Sequence, residues 1–183
     1  ASGFVAIFVA SVLTLRRVRR FNLHNGSAPT ESAARVASFV HALFTTCAAA
    51  ILAPALWSRR SALEFSSTLF SRRNSVAEAR LACFSNGYFL YDTLYLLLYE
   101  RDPLFVAHHV VCITIWNDAL FCGRGADLVA GMLLMGECTT PLLSMWWLAK
   151  RAGNMPMARR LSRVFTAAFL VARTFVHPVI CLL

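Results

Sequence analysis

The sequence predicts an all-α, polytopic membrane protein of about six transmembrane helices, and three observations carry that expectation. The first is composition: of 183 residues, 58% are hydrophobic and only 15% charged, against about 45–50% and about 25% in soluble domains, and the mean hydropathy is +0.59. The second is that apolar windows long enough to cross the roughly 30 Å hydrocarbon core recur along the whole chain. The third is charge placement. Lys and Arg number 18 against 9 acidic residues, giving +9, and all the cations except Lys150 are arginine. They gather in short runs between the apolar windows, where anionic headgroups rather than nucleic acid are the natural counter-charge. The length suits one domain. The low charge and 12% aromatic content exclude intrinsic disorder, and the recurrence of windows excludes a single-span anchor.

The windows follow in order. The first covers Ala1–Leu15 and is closed by Arg16, Arg17, Arg19 and Arg20, so residues 1–20 form a helix with a basic flank. A turn-rich linker, Asn25 to Thr30, precedes a second span at Ala33–Trp57, closed by Arg59 and Arg60. Residues 58–75 mix Leu63, Phe65, Leu69 and Phe70 with Ser and Arg, the pattern of a loop or amphipathic segment in the headgroup plane. The third span is Val76–Tyr99, and the fourth is Pro103–Phe121, with its proline placed where a missing N–H costs nothing. The fifth is Ala126–Leu148 and the sixth Arg163–Leu183. Backbone groups in lipid must be paired internally, and windows this long without two-residue alternation are helices rather than barrel strands.

Alternation of the spans places Arg16, Arg17, Arg19, Arg20, Arg35, Arg101, Lys150, Arg151, Arg159, Arg160 and Arg163 on one side, against Arg59, Arg60, Arg72, Arg73, Arg80 and Arg124 on the other. The richer side is expected to be cytoplasmic, or the matrix or stroma of an organelle. Arg173 falls within the bilayer.

Ionisable residues inside spans are costly and mark sites by default. Counted from the richer side, His41 lies about eight residues deep, Asp92 about seven, and His108 and His109 about five or six. Glu137 and Arg173 lie about ten or eleven deep. This shared half of the membrane predicts one polar cluster on the side-chain set His41, Asp92, His108, His109, Glu137 and Arg173. Successive helical positions diverge by about 100°, so only one of His108 and His109 faces it. Pro141 removes the N–H that would pair with the Glu137 carbonyl, which predicts a kink there, with Thr139 or Thr140 as a local partner. Asp118 and His177 sit near span ends and read as interfacial.

The six cysteines, Cys47, Cys83, Cys112, Cys122, Cys138 and Cys181, are scattered and read as small hydrophobes. No metal site is expected. Nucleotide and common hydrolase motifs are absent. Paired histidines at similar depth on different helices leave haem or chlorophyll ligation by His41 with His108 or His109 as a geometric alternative.

With these residues in view, the chain resembles the TLC-domain family, named for the translocation-associated membrane protein, the ceramide synthases and the neuronal ceroid lipofuscinosis protein. The resemblance rests on SFVHAL around His41, on Ser85 to His109, on GECTTPLLSMWW from Gly136 to Trp147, and on FLVARTFVHP ending at Pro178. It implies a TLC-like domain over residues 33–183, a helical bundle around a lipid-accessible cavity, and residence in the endoplasmic reticulum or another endomembrane. The chain begins at Ala1 rather than Met, which leaves room for a preceding targeting segment and so for mitochondrial or plastid membranes.

The resemblance also counts against ceramide synthase activity. Where those enzymes carry a second motif ending in His-Asp, this chain has Gly136-Glu137, although Arg124-Gly125 is kept. The chain is closer to the small TLC-domain proteins linked to membrane lipid composition, and departs from them in its apolar Ser144-Met145-Trp146-Trp147. Three functions follow, in order of expectation. The first is a protein that binds lipid, or influences lipid composition, through the polar cluster. The second is an accessory subunit of a larger membrane complex with a vestigial site, for which exposed Trp146 and Trp147 would serve as contacts. The third is a lipid acyltransferase with catalytic candidates His108, His109, Asp92 and Glu137. Membrane lipids are the expected partners, with other membrane subunits next and nucleic acid excluded.

Overall fold

The computed structural model describes residues 28–52 and 73–176, and all its elements are helices. They are α1 (Ala28–Leu52), α2 (Val76–Tyr95), α3 (Pro103–Phe121), α4 (Ala126–Glu137), α5 (Thr140–Arg151) and α6 (Met155–Leu170). Wider π-helical turns continue α2 through Leu96–Glu100 and α6 through Val171–Val176.

Local chemistry explains where these helices start. Ser75 and Glu78 open α2 with a reciprocal capping box: the Glu78 N–H donates to Ser75 Oγ at 3.2 Å and the Ser75 N–H to Glu78 Oε2 at 2.7 Å. Asp102 accepts from the N–H groups of Leu104 and Phe105, and Pro103 occupies the first turn of α3. Gly125, at φ 84°, precedes α4 and supplies no capping side chain. Asn74 supplies it from a distance. Its amide donates to the Ala119 carbonyl at 2.7 Å and its Oδ1 accepts from the Ala126 N–H at 2.9 Å, so one residue closes α3 and opens α4.

Helix α1 packs against α2, α4 and α5, while α3 lies on α2 and α6 on α5. Apart from Ser32, His41 and Thr45, the buried positions of α1 are all alanine: Ala33, Ala34, Ala37, Ala42 and Ala49. Small residues let backbones approach closely where lipid offers no hydrophobic drive between helices. Against them pack Leu81, Ala82, Tyr88 and Phe89 of α2 and Val129, Ala130 and Leu133 of α4. Leu43, Phe44, Ile51, Leu94, Leu98, Leu104, Phe105, Val110, Val111 and Phe121 point outward, a belt too extensive for a water-facing surface.

One end of the bundle is tied by charge. Arg35 of α1 pairs with Glu100 at 3.3 Å, and Arg151 of α5 with Glu31 of α1 at 3.6 Å. Arg35 and Arg151 each lie 5.7 Å from the Trp147 ring, and Lys150 lies 5.3 Å from Trp146. Arg35, Lys150 and Arg151 are among the cations that span alternation assigns to the richer side.

Several expectations change. Among the described residues three helices are long and apolar enough to cross a membrane, Glu31–Leu52, Pro103–Phe121 and Ala126–Arg151. Val76–Tyr95 has the length but carries Glu78, Arg80 and Asp92. The fifth span is two helices, interrupted at Cys138 and Thr139 just before Pro141. The last helix begins at Met155, not Arg163, because Asn154 caps it and its early arginines lie on an outer face. Ala28, Pro29 and Thr30 belong to α1 and not to a linker, since proline and an acidic residue, Glu31, suit a first turn. Trp146 and Trp147 are half-buried beneath their cations instead of exposed. The first span, residues 58–72 of the loop, His177 and Cys181 lie outside the described residues.

Candidate functional site

The interface of α2 and α3 builds the centre of the site. On α2, Ser85, Tyr88, Phe89 and Asp92 follow the i, i+3, i+4, i+7 spacing of one helical stripe and face the bundle. Asp92 Oδ2 lies 3.6 Å from Nε2 of His109 on α3. That is longer than an ordinary N–H···O hydrogen bond, so the pair is juxtaposed without being locked. His109 is buried, and its Nδ1 has no partner among the described residues. Neighbouring His108 turns outward and is exposed, its Nε2 3.7 Å from Cys112 Sγ. The divergence of about 100° between adjacent helical positions thus separates the two histidines.

His41 adjoins this centre from α1. It is fully buried, with Nε2 3.3 Å from Ser85 Oγ and its ring stacked on Tyr88 at 3.9 Å. Phe89 stands between the two buried histidines. Its ring meets His41 edge-on at 5.6 Å and His109 at 4.9 Å. The Tyr88 side chain is hydrogen-bonded to Ser38, and Tyr88 is within electrostatic range of both Asp92 and Glu137.

Glu137 arrives at the C-terminus of α4, where the helix breaks. Its carboxyl lies near the Thr140 side chain and within electrostatic range of Arg173. Arg173, on the π turn after α6, donates to the Gly136 carbonyl at 3.1 Å and lies 5.4 Å from the Phe169 ring. The break therefore has a specific partner: an acceptor adjacent to the one that Pro141 frees is taken by the intramembrane arginine. Glu137 and Asp92 also interact electrostatically across the bundle.

The structure thus gathers Asp92, His109, Glu137 and Arg173, sets His41 beside them behind Phe89 and Tyr88, and leaves His108 outside. Sequence reasoning did not single out Ser38, Ser85, Tyr88 or Phe89. The stripe that contains Asp92 was the available signal, since Ser85, Tyr88 and Phe89 share its face. Asp118 is exposed near the end of α3. Among the described residues, five cysteines are free, and no group of three His, Cys, Asp or Glu is placed to hold a metal ion.

Chemically, the Asp92 carboxyl and an imidazole with an open nitrogen meet in apolar surroundings, with the Glu137 carboxyl and the Tyr88 hydroxyl within electrostatic range of Asp92. Such a set can hydrogen-bond a polar group that enters from the membrane, and a carboxylate beside an imidazole can also exchange a proton with it.

Comparison with known proteins agrees with this architecture. The TLC-domain profile matches residues 31–183. A TLC domain-containing protein of Arabidopsis thaliana is 29% identical over 108 residues, covering 58% of this chain and 42% of that relative. The chain thus spans less than half the length of this curated relative. No solved structure matches.

Proposed function

This chain belongs to the TLC-domain family of membrane proteins linked to lipid biology, and on that premise we propose that it binds a membrane lipid at the Asp92, His109 and Glu137 cluster. In this reading the chain is an endomembrane protein that completes about six spans, the headgroup or ester region meets the cluster, and the acyl chains lie along the apolar helix faces. The observation that supports it most directly is the pairing of Asp92 with His109, whose Nδ1 is buried and unpartnered. An unsatisfied buried polar group costs about 1–3 kcal/mol, which a ligand acceptor or donor would recover. His41 serves in this arrangement as a positioning residue, since its ring is held between Ser85 and Tyr88.

The same geometry favours a second reading, an acid–base site for acyl transfer between lipids, in which Asp92 orients His109. Gly136-Glu137 stands where ceramide synthases have His-Asp, so this reading rests on the Asp92–His109 pair alone.

Native mass spectrometry of the full chain, released from a mixed bilayer into mild detergent, tests both. Specific binding predicts a lipid species enriched over its bulk share, reduced in Asp92→Asn, Glu137→Gln and His109→Ala, and retained in His108→Ala. Lipid retained only in bulk proportion would overturn the first reading. Turnover of acyl-CoA or phospholipid that disappears in His109→Ala would establish the second. A stoichiometric protein partner with no enriched lipid would instead favour the role of accessory subunit.

A further inference from the structure

The cations at the charged end of the bundle fall into two groups. Arg35 and Arg151 are neutralised by Glu100 and Glu31. Lys150, Arg159, Arg160 and Arg163 have no carboxylate partner among the described residues, and residues 138–183 contain no Asp or Glu at all. The three arginines are exposed and lie within about one turn of α6. Arg159 and Arg163 are i, i+4 neighbours, and Arg160 and Arg163 are i, i+3 neighbours. Like charges at these spacings repel.

Helix geometry fixes where this face points. Ala158 is the buried residue of α6 and marks the side turned to α5. Arg159, Arg160 and Arg163 lie about 100–200° round the helix from it, away from the bundle. One to two turns further along the same side, Ala167, Leu170 and Val171 are exposed and apolar. The outer face of α6 therefore runs from an uncompensated arginine triad to an aliphatic strip, the order in which a phospholipid presents phosphate and acyl chain.

We propose that this face docks an anionic phospholipid of the adjacent leaflet, its headgroup phosphate held by Arg159, Arg160 and Arg163, with Lys150 at the rim and the acyl chain along Leu170 and Val171. Arginine suits the task because its planar fork pairs with phosphate bidentately and remains charged. The continuous apolar strip argues for a lipid over a soluble anion, which has no use for it. The dock faces outward from α6, so its occupancy is independent of the Asp92–His109 cluster.

The test reconstitutes the full chain in nanodiscs of equimolar phosphatidylcholine and phosphatidylglycerol and measures by native mass spectrometry the ratio of the two lipids that remain bound. Enrichment of phosphatidylglycerol is expected, by about fivefold for each arginine engaged. It should fall to near unity in the triple variant Arg159→Gln, Arg160→Gln, Arg163→Gln, and be largely kept in the corresponding triple lysine variant. Circular dichroism reports whether the glutamine variant keeps its helices. A salt titration of the unaltered protein is a second arm that needs no variant, and the enrichment should decline as ionic strength rises. Excess inorganic phosphate should leave the bound lipid in place. Equal retention of the two lipids by the unaltered protein, or full enrichment in a folded glutamine variant, would overturn the proposal. So would an acidic polypeptide that co-purifies with the unaltered chain in place of lipid and is lost with the arginines.

Discussion

Asn74 closes one helix and opens the next, which makes it the residue whose loss should be felt most for its size. Asn74→Ala leaves the Ala126 N–H without its partner and removes one of two donors to the Ala119 carbonyl, which the Arg124 N–H also reaches, and a cost of about 1–3 kcal/mol is expected. Thermal unfolding in detergent should show a lower midpoint with helix content unchanged below it. His41 offers a contrast between packing and chemistry. Because its ring stacks on Tyr88, His41→Phe should keep much of the stability that His41→Ala loses, and the alanine variant should be about 3–5 kcal/mol worse than the native protein, as for other large buried rings. A phenylalanine variant as unstable as the alanine one would show that the Ser85 contact, rather than the stack, holds the residue. Asp92, His109, Glu137 and Arg173 were visible in the sequence because ionisable groups stand out against apolar windows. Tyr88 and Phe89 were hidden by the same background: aromatic residues are ordinary in a span, and only the stripe they share with Asp92 gives them away. Asn74 was invisible for another reason. A polar residue in a loop needs no explanation until its distant partners are known.

Among the elements, the interrupted fifth span carries the most chemistry. Pro141 withholds an N–H, α4 and α5 separate at Cys138 and Thr139, and Arg173 donates to Gly136 beside the gap. Pro141→Ala should let the two helices join, and hydrogen exchange at residues 138–142 should slow relative to the native chain. Unchanged exchange would mean that Arg173, and not the proline, maintains the break, in which case Arg173→Gln should slow it instead. The kink was legible because proline has one dominant effect within a helix. Helix starts marked by local capping, Val76 after Ser75 and Pro103 after Asp102, also matched the sequence reading closely. The start of α6 did not, because hydropathy sees Arg159, Arg160 and Arg163 as the end of a loop. A helix end at a membrane surface tolerates charged residues provided they share an outward face.

At the scale of the whole molecule, α1, the end of α2 and the end of α5 meet around Trp147. Arg35 touches both Glu100 and Trp147, so a double-mutant cycle with Arg35→Ala and Glu100→Gln should give a coupling of about 0.2–1 kcal/mol, the range of partly exposed ion pairs, and should shrink with salt. A coupling near zero would show the aromatic contact to be the effective tie. Hydropathy of a window does not distinguish a straight crossing from a broken helix or a half-amphipathic one, which is why Ala126–Leu148 and Val76–Tyr99 read as simple spans in the sequence. The Asn74 bridge also bears on time. Its partners lie 45 and 52 residues later in the chain, so at about 5–20 residues per second the ribosome needs about 3–10 s to supply them. Until then α2 waits with its neighbouring loop unfastened. A nascent chain halted before Ala119 should remain open to protease at Asn74, and one that has released Ala126 should become resistant there.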